Sequence, residues 1–140
     1  SNSREICCFF IEHKTYSSEE EAVEKLEELL LLLDEKHISS EQITILSPRR
    51  KVNSIVSKVE KCKIKDFSYS NVQNVTFSTI QSFKGLENVV IILVDVDTYD
   101  AEKLMYVALS RARSGLFILE SKDAHTEYQG LMVRRLLNGR

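Results

Sequence analysis

The strongest constraint on the fold lies in residues 88–95 (NVVIILVD), where six apolar residues stand without a break between Asn88 and Asp95. A strand with one face in water alternates apolar and polar residues, and this run does not alternate. It therefore predicts a strand buried on both faces, central in a parallel sheet. Parallel strands are joined by long crossovers, usually helices, so helical segments are expected on either side of it.

Strand and helix patterns alternate along the rest of the chain. Apolar residues recur at helical spacing over 18–36, after two serines in capping-box spacing with a glutamate (Ser17 with Glu20, Ser18 with Glu21), and they predict an amphipathic helix with an acidic outer face. Further helices are predicted at 51–61, 100–113 and 124–138, and further strands at 5–11, 42–46, 61–66, 74–78 and 115–120. This order predicts an α/β fold, in which helices sandwich a parallel sheet.

Charge is unevenly distributed over the 140 residues, a length that suits one domain. The net charge is −2, which does not indicate a globally basic nucleic-acid-binding protein. Residues 17–36 contain eight acidic and two basic residues, so the rest of the chain carries a positive excess. A basic surface is therefore possible outside that segment.

Three cysteines without CxxC spacing indicate free thiols in a reducing, cytoplasmic compartment. The apolar runs, 29–33 among them, are too short to span a membrane. The chain lacks a signal peptide and an initiator methionine, and residues 1–3 are interpreted as a scar of tag removal. We expect residues 4–140 to form one domain of a longer protein.

The leucine run 29–33 precedes Asp34-Glu35-Lys36-His37, which resembles the DExH signature of nucleotide hydrolases. The leucines continue a helical period, however, and leucine is not β-branched. The phosphate-binding pattern GxxxxGK[ST] is absent, and four glycines are too few for another glycine-rich phosphate loop. We therefore expect no nucleotide hydrolysis by this chain alone, and we assign no metal site to it.

The segment 78–87 (STIQSFKGLE) carries polar groups that packing does not require. We expect it at the carboxyl end of a parallel strand, where α/β sheets bind ligands. Hydroxyl and amide groups, the Lys84 cation, the Gly85 backbone and the Glu87 carboxylate could bind a ligand there, with Glu87 accepting from a ribose hydroxyl. An ordinary polar connection is the alternative.

The predicted helix 100–113 ends in Arg111 and Arg113. Cations suit the carboxyl end of a helix, so a charged last turn is one interpretation. The other is an arginine held rigidly and directed at a phosphate, for which a planar, permanently charged guanidinium is suited.

Together the two segments resemble a known family. Residues 79–87 (TIQSFKGLE) resemble motif V of superfamily 1 helicases, and residues 104–113 (LMYVALSRAR) resemble their motif VI, most closely in the UvrD/Rep-like branch. Residues 43–49 (ITILSPR) resemble, more weakly, a strand that contacts single-stranded DNA in that family. The resemblance spans roughly residues 5–120.

The resemblance implies a RecA-like second lobe without the phosphate loop, which closes over ATP bound by an N-terminal lobe that also holds Mg²⁺. Arg111 would be the arginine finger, and Glu87, Gly85 and Arg113 would lie near ATP. The residues implied to contact single-stranded nucleic acid are Thr79, Gln81, Ser82, Lys84 and Arg49, with weaker support from Arg50, Lys51 and Lys58. The fragment would be inactive without the N-terminal lobe.

Departures from the family leave other functions open. Gln81 stands where the family usually has histidine, and both a large insertion and an upstream "NYRS"-like motif are missing. The alternatives are a non-catalytic module that binds single strands or a protein, and a lobe of an RNA helicase, although KGLE favours DNA.

Overall fold

The protein forms a six-stranded, all-parallel sheet with helices on both faces. A computed structural model describes residues 9–68, 73–97 and 102–138. The strands are β1 (Phe10–Tyr16), β2 (Ile43–Ser47), β3 (Ile64–Asp66), β4 (Val75–Thr79), β5 (Asn88–Val96) and β6 (Ala112–Ser121). Their order in the sheet is β1-β6-β5-β2-β4-β3. The predicted α/β fold with a parallel sheet is confirmed.

The apolar run forms β5, between β6 and β2. Its residues alternate between two separate apolar clusters: Val90, Ile92 and Val94 pack on one face of the sheet, and Ile91 and Leu93 on the other. All five are buried. The prediction of a central strand without alternation is confirmed.

Three helices cover the two faces: α1 (Glu19–Glu35), α2 (Glu102–Arg111) and α3 (Lys122–Leu137). The leucine face of α1 packs on the cluster that includes Ile92. Ala108 of α2 and Ala124 of α3 pack on the cluster that includes Ile91. Within the described ranges, no helix has the length and apolar character needed to cross a membrane.

The predicted helix 18–36 is confirmed as α1, and Ser18 is its N-cap. The Ser18 hydroxyl accepts from the backbone N–H of Glu21 at 3.2 Å. The Glu21 carboxylate accepts from the backbone N–H of Ser17 at 2.7 Å, so the serines and the glutamate satisfy free donors at this terminus. The DExH-like residues lie at the end of this helix and not on a strand, with His37 at φ 67°.

The predicted helix 51–61 is wrong. This stretch forms two short 3₁₀ turns, Lys51–Asn53 and Ile55–Lys58, separated by Ser54 with extended backbone angles (φ −96°, ψ 157°). Ser54 is buried, its hydroxyl donates to Asp95 at 2.5 Å, and the same oxygen accepts from the N–H of Val56 at 3.1 Å. These bonds hold Ser54 outside helical geometry and interrupt a pattern that is helical by spacing alone.

The first strand begins later than predicted: of 5–11, residues 5–8 lie outside the described part, and the strand β1 is Phe10–Tyr16. Among the described strands, β1 lies at the edge of the sheet and pairs with β6 alone. Phe10 lies over its register partner Gly115, where a Cβ would be 2.1 Å from the ring, and meets Phe117 edge-on with 5.2 Å between centroids. An edge strand tolerates polar residues, so the apolar run did not mark its bounds.

Candidate functional site

The segment 78–87 crosses the sheet from one edge to the other. Thr79 ends β4 at the carboxyl edge, and Glu87 directly precedes β5 at the amino edge. The side chain of Phe83 between them is fully buried in the cluster with Ile91. Placing the whole segment at the carboxyl edge was therefore wrong for Glu87, because in a parallel sheet the chain must return to the start of the next strand.

At the amino edge, Glu87 and Arg111 occupy neighbouring strand starts. Asn88 and Ala112, the residues that follow them, are register partners across β5 and β6. Glu87 is exposed and Arg111 half-buried, and among the described residues neither forms an ion pair. The two segments singled out from the sequence thus meet at this edge.

Arg111 carries an unsatisfied donor. Its Nε atom is buried and, in the described part of the chain, has no hydrogen-bond partner. Leaving a buried donor of a charged group unpaired costs about 1–3 kcal/mol or more. Arg111 thus stands where α2 ends and β6 begins, and part of its hydrogen-bonding capacity is unused within the described structure.

Local backbone structure accounts for the positions of Gly85 and Arg113. Gly85 has φ +82°, and nothing lies within 4 Å of the position a Cβ would take, so the backbone angle and not crowding explains the glycine. Arg113 lies on β6 and is exposed, whereas the sequence placed it in the helix. The helix ends at Arg111 because Ala112 already pairs with β5.

At the carboxyl edge, a cleft of about 620 Å³ gathers most of the residues predicted to bind nucleic acid. Its lining consists of Thr79, Gln81, Ser82, Arg50, Pro48, Ile80 and Leu104. The Thr79 hydroxyl accepts from the N–H of Ser82 at 3.2 Å, and the Thr79 carbonyl accepts from the N–H of Phe83 at 3.1 Å. These bonds fix a tight turn, with the exposed side chains of Gln81 and Ser82 at the cleft.

Arg50 and not Arg49 lines this cleft. Arg49 forms an ion pair with Asp97, which follows β5, and its backbone N–H donates to the Ser47 hydroxyl at 2.9 Å. The other candidate cations lie elsewhere. Lys51 pairs with Asp66 at 3.4 Å, Lys58 pairs with Glu19 at 3.6 Å, and Lys84 is exposed.

A buried carboxylate beside the cleft escaped the sequence analysis. Asp95 is 3% exposed and accepts from the hydroxyls of Ser47 and Ser54, each at 2.5 Å, and from the N–H of Ile55 at 3.1 Å. Its backbone has φ 62°, a region that aspartate tolerates better than most residues. The only signal in the sequence was a polar residue closing an apolar run.

Tyr16 lies near this carboxylate at the end of β1. Burial, followed by the negative charges of Asp95 and Asp97, raises the pKa of Tyr16 to about 12. The nearby Arg49 cation opposes the shift but does not cancel it. The carboxyl edge therefore combines the exposed donors of Gln81 and Ser82 at the cleft with the buried carboxylate of Asp95.

Residues 79–87 and 104–113, which carry the resemblance, lie at the ends of strands of one sheet. Residues 74–119 match the UvrD-like helicase C-terminal domain family. That range contains the whole segment 78–87, helix α2, Arg111 and most of β6. The resemblance to the C-terminal lobe of UvrD-like helicases is confirmed.

A solved structure supports the fold. The crystal structure of the C-terminal domain of a possible DNA helicase from Lactobacillus plantarum WCFS1 superposes with a TM-score of 0.54 and 16% sequence identity. The superposition covers 81% of this chain and 73% of that one. A search among curated proteins finds no sequence that matches this chain.

Proposed function

We propose that this chain is the second motor lobe of an ATP-dependent superfamily 1 DNA helicase or translocase. The single observation that carries the proposal is the meeting of Glu87 and Arg111 at the starts of neighbouring strands, with the buried Nε of Arg111 lacking a partner in the described structure. Both residues lie inside the range that matches the UvrD-like helicase C-terminal domain.

Arg111 has the properties that a phosphate-binding arginine needs. It stays protonated at any physiological pH and presents donors in a planar fork. The rigid junction of α2 and β6 positions it, and its unsatisfied donor favours an anionic acceptor brought by another molecule. In the proposal that acceptor is the γ-phosphate of ATP, whose oxygens gain charge during transfer.

Glu87 would complement Arg111 at the same edge. A carboxylate repels phosphate but accepts readily from a hydroxyl, so the ribose is its suited contact. The two residues would thus contact opposite ends of one nucleotide, Glu87 the ribose and Arg111 the γ-phosphate. Mg²⁺ would be held by the N-terminal lobe and neutralise phosphate charge there, and residues of this chain are not assigned to it.

The cleft at the opposite edge suits a nucleic-acid backbone. Gln81 and Ser82 offer uncharged donors, and Arg50 adds a cation that can pair with phosphate. Such contacts carry no base readout, so binding is expected to be independent of sequence and sensitive to salt.

The two sites would be coupled because the segment 79–87 belongs to both. ATP held by Glu87 and Arg111 would draw the two lobes together, and loss of the γ-phosphate would let them separate. The turn at the cleft would move with the lobe, so each cycle would shift the grip on the strand.

The test is ATP turnover stimulated by single-stranded DNA, in a protein that joins this chain to its phosphate-loop lobe. Arg111→Ala is expected to lower turnover by about 10³–10⁵-fold while ATP binding persists. The matched control is Arg134→Ala, an exposed arginine on α3. Turnover within tenfold of the unsubstituted protein would refute the arginine-finger assignment. Stimulation by RNA but not DNA would instead favour the RNA helicase alternative.

A further inference from the structure

Three side chains from separate elements meet on the β1 side of the sheet. They are His13 on β1, Glu120 near the end of β6 and His125 in the first turn of α3. The Nδ1 atoms of His13 and His125 each lie 2.7 Å from the same Glu120 oxygen, Oε1. Each residue offers one potential metal-ligand atom that lies within 4.8 Å of those of the other two.

The burial of the group is graded. The Glu120 side chain is fully buried, whereas those of His13 and His125 are 22% and 30% exposed. The carboxylate therefore sits at the base and the imidazoles reach towards solvent. The two imidazoles already contact the buried carboxylate, and a cation bound between the three groups would attract the same oxygen more strongly than a neutral donor does.

The scaffold holds the three residues rigidly. Glu120 pairs in register with Thr15, two residues after His13, so Glu120 and His13 are diagonal neighbours on one face. The ring of Tyr128 stacks on His13 at 5.3 Å between centroids. Ser121 caps α3 by accepting from the N–H of Ala124 at 3.1 Å, which fixes the turn that carries His125.

We propose that His13, Glu120 and His125 form a binding site for a divalent transition metal, with Zn²⁺ the best-suited ion. Two imidazole nitrogens and one carboxylate oxygen form a ligand set typical of zinc, whereas Mg²⁺ and Ca²⁺ favour oxygen ligands alone. Ligands of a tetrahedral zinc ion lie about 3.3 Å apart, since each is about 2.0–2.2 Å from the metal. Small side-chain rotations from the present distances reach that geometry, and the exposed side leaves a fourth position for water.

The site would connect the edge strand β1 and helix α3 to β6. Since β6 is the one described strand that pairs with β1, and α3 contacts both strands, a metal bridging all three would stabilise this end of the sheet. This inference does not depend on the proposed helicase function.

The direct test is isothermal titration calorimetry of the chain with Zn²⁺, with thermal unfolding measured in parallel. Cys7, Cys8 and Cys62 are replaced by serine so that thiolates cannot bind the metal. Burial raises the pKa of the Cys62 thiol, and the negative charges of Glu27 and Asp34 raise it further. One equivalent of Zn²⁺ should bind and raise the unfolding temperature.

Variants locate the ligands. His125→Ala is expected to weaken Zn²⁺ binding by more than the about 10–100-fold that loss of an outer-shell partner costs. Glu120→Gln should do the same, and His37→Asn is the matched control, because His37 is exposed and its φ of 67° suits asparagine. Circular dichroism confirms that each variant is folded.

Two outcomes would overturn the proposal: no saturable one-to-one binding by the cysteine-free chain, or equal Zn²⁺ affinity in His125→Ala and His37→Asn. Substituting Co²⁺ gives an independent readout. Visible ligand-field bands that disappear in His125→Ala support the site, and bands that persist in that variant refute it.

Discussion

Replacing Asp95 tests how the buried carboxylate supports the carboxyl edge. Asp95 joins three parts of the chain, because its donors are the Ser47 hydroxyl at the end of β2, the Ser54 hydroxyl and the Ile55 N–H after it. Asp95→Asn keeps the shape and tolerates the same backbone angle, but removes the charge. Asp95→Ala removes every acceptor.

The magnitude follows from these three bonds. A hydrogen bond to a charged group contributes about 1.5–3 kcal/mol, roughly twice a neutral one. In Asp95→Asn the amide oxygen can keep the Ile55 N–H, and the amide NH₂ then replaces the oxygen to which both serine hydroxyls donate. The hydroxyls must turn to accept from the NH₂, so unfolding should become easier by about 2 kcal/mol. In Asp95→Ala all three donors lose their partner, and about 4.5 kcal/mol is expected, which is three bonds at the lower end of that range.

Urea and thermal unfolding followed by circular dichroism measure these differences. With about 2.1 cal/mol/K of unfolding entropy per residue, 2 kcal/mol corresponds to about 7 °C in Tm for a chain of 140 residues. Asp97→Asn is the matched control. It makes the same chemical change two residues away, at a 53% exposed side chain whose ion pair contributes about 0–1 kcal/mol. Equal losses in Asp95→Asn and Asp97→Asn would refute the argument from burial.

Two further predictions concern the same edge. Arg50→Ala should weaken binding of a labelled single-stranded oligonucleotide, measured by fluorescence anisotropy, and should lower the slope of log affinity against log salt concentration by about one. Arg49→Ala should have the smaller effect because Arg49 already pairs with Asp97. A larger effect of Arg49→Ala would assign the contact to Arg49. The pKa of Tyr16 is about 12 in the folded chain and 10.0 for an unperturbed tyrosine. The unfolded state therefore loses this proton at lower pH, and the free energy of unfolding should fall as pH rises from 10 to 12. Urea midpoints should show a smaller fall in Tyr16→Phe, and an identical fall would contradict the shift.

The fold was predictable where local pattern and tertiary environment agree. The apolar run predicts a buried strand and the capped leucine repeat predicts an amphipathic helix, and β5 and α1 form as expected. The prediction failed where a distant partner decides the backbone. Ser54 turns away from helical geometry because it donates to Asp95, a residue 41 positions along the chain.

The candidate site followed the same division. Glu87 and Arg111 were identifiable because they stand inside contiguous motifs. Asp95 was not, since its partners come from segments that only the fold brings together. His13 and Glu120 are 107 positions apart, and no spacing rule connects them. The choice between Arg49 and Arg50 also required the structure, because adjacent residues in a loop can face different ways.

The segment 79–87 joins the two edges through a hydrogen-bonded turn with a buried side chain at its middle, which gives a physical reason for coupling between the edges. Strand β2 lies between β4 and β5 and measures the offset between the two ends of the segment. Thr79 on β4 pairs with Ser47, and Val90 on β5 pairs with Ile43, four residues earlier on β2. Asn88 lies two residues before Val90, so the ends are offset by about six residues along the strands. The connection must therefore cover about 20 Å along the strands and about 10 Å across two strand spacings, or about 22 Å in all. The turn at 80–85 advances about 2 Å per residue and the extended residues up to Asn88 about 3.3 Å each, which also gives about 22 Å. Backbone hydrogen bonds from Phe83 to Thr79 and from Leu86 to Phe83 keep the turn compact, and the buried Phe83 ring anchors its middle, so displacing one end without the other would break these contacts. In the proposed motor lobe, movement of Glu87 towards a nucleotide would therefore move the turn that lines the nucleic-acid cleft.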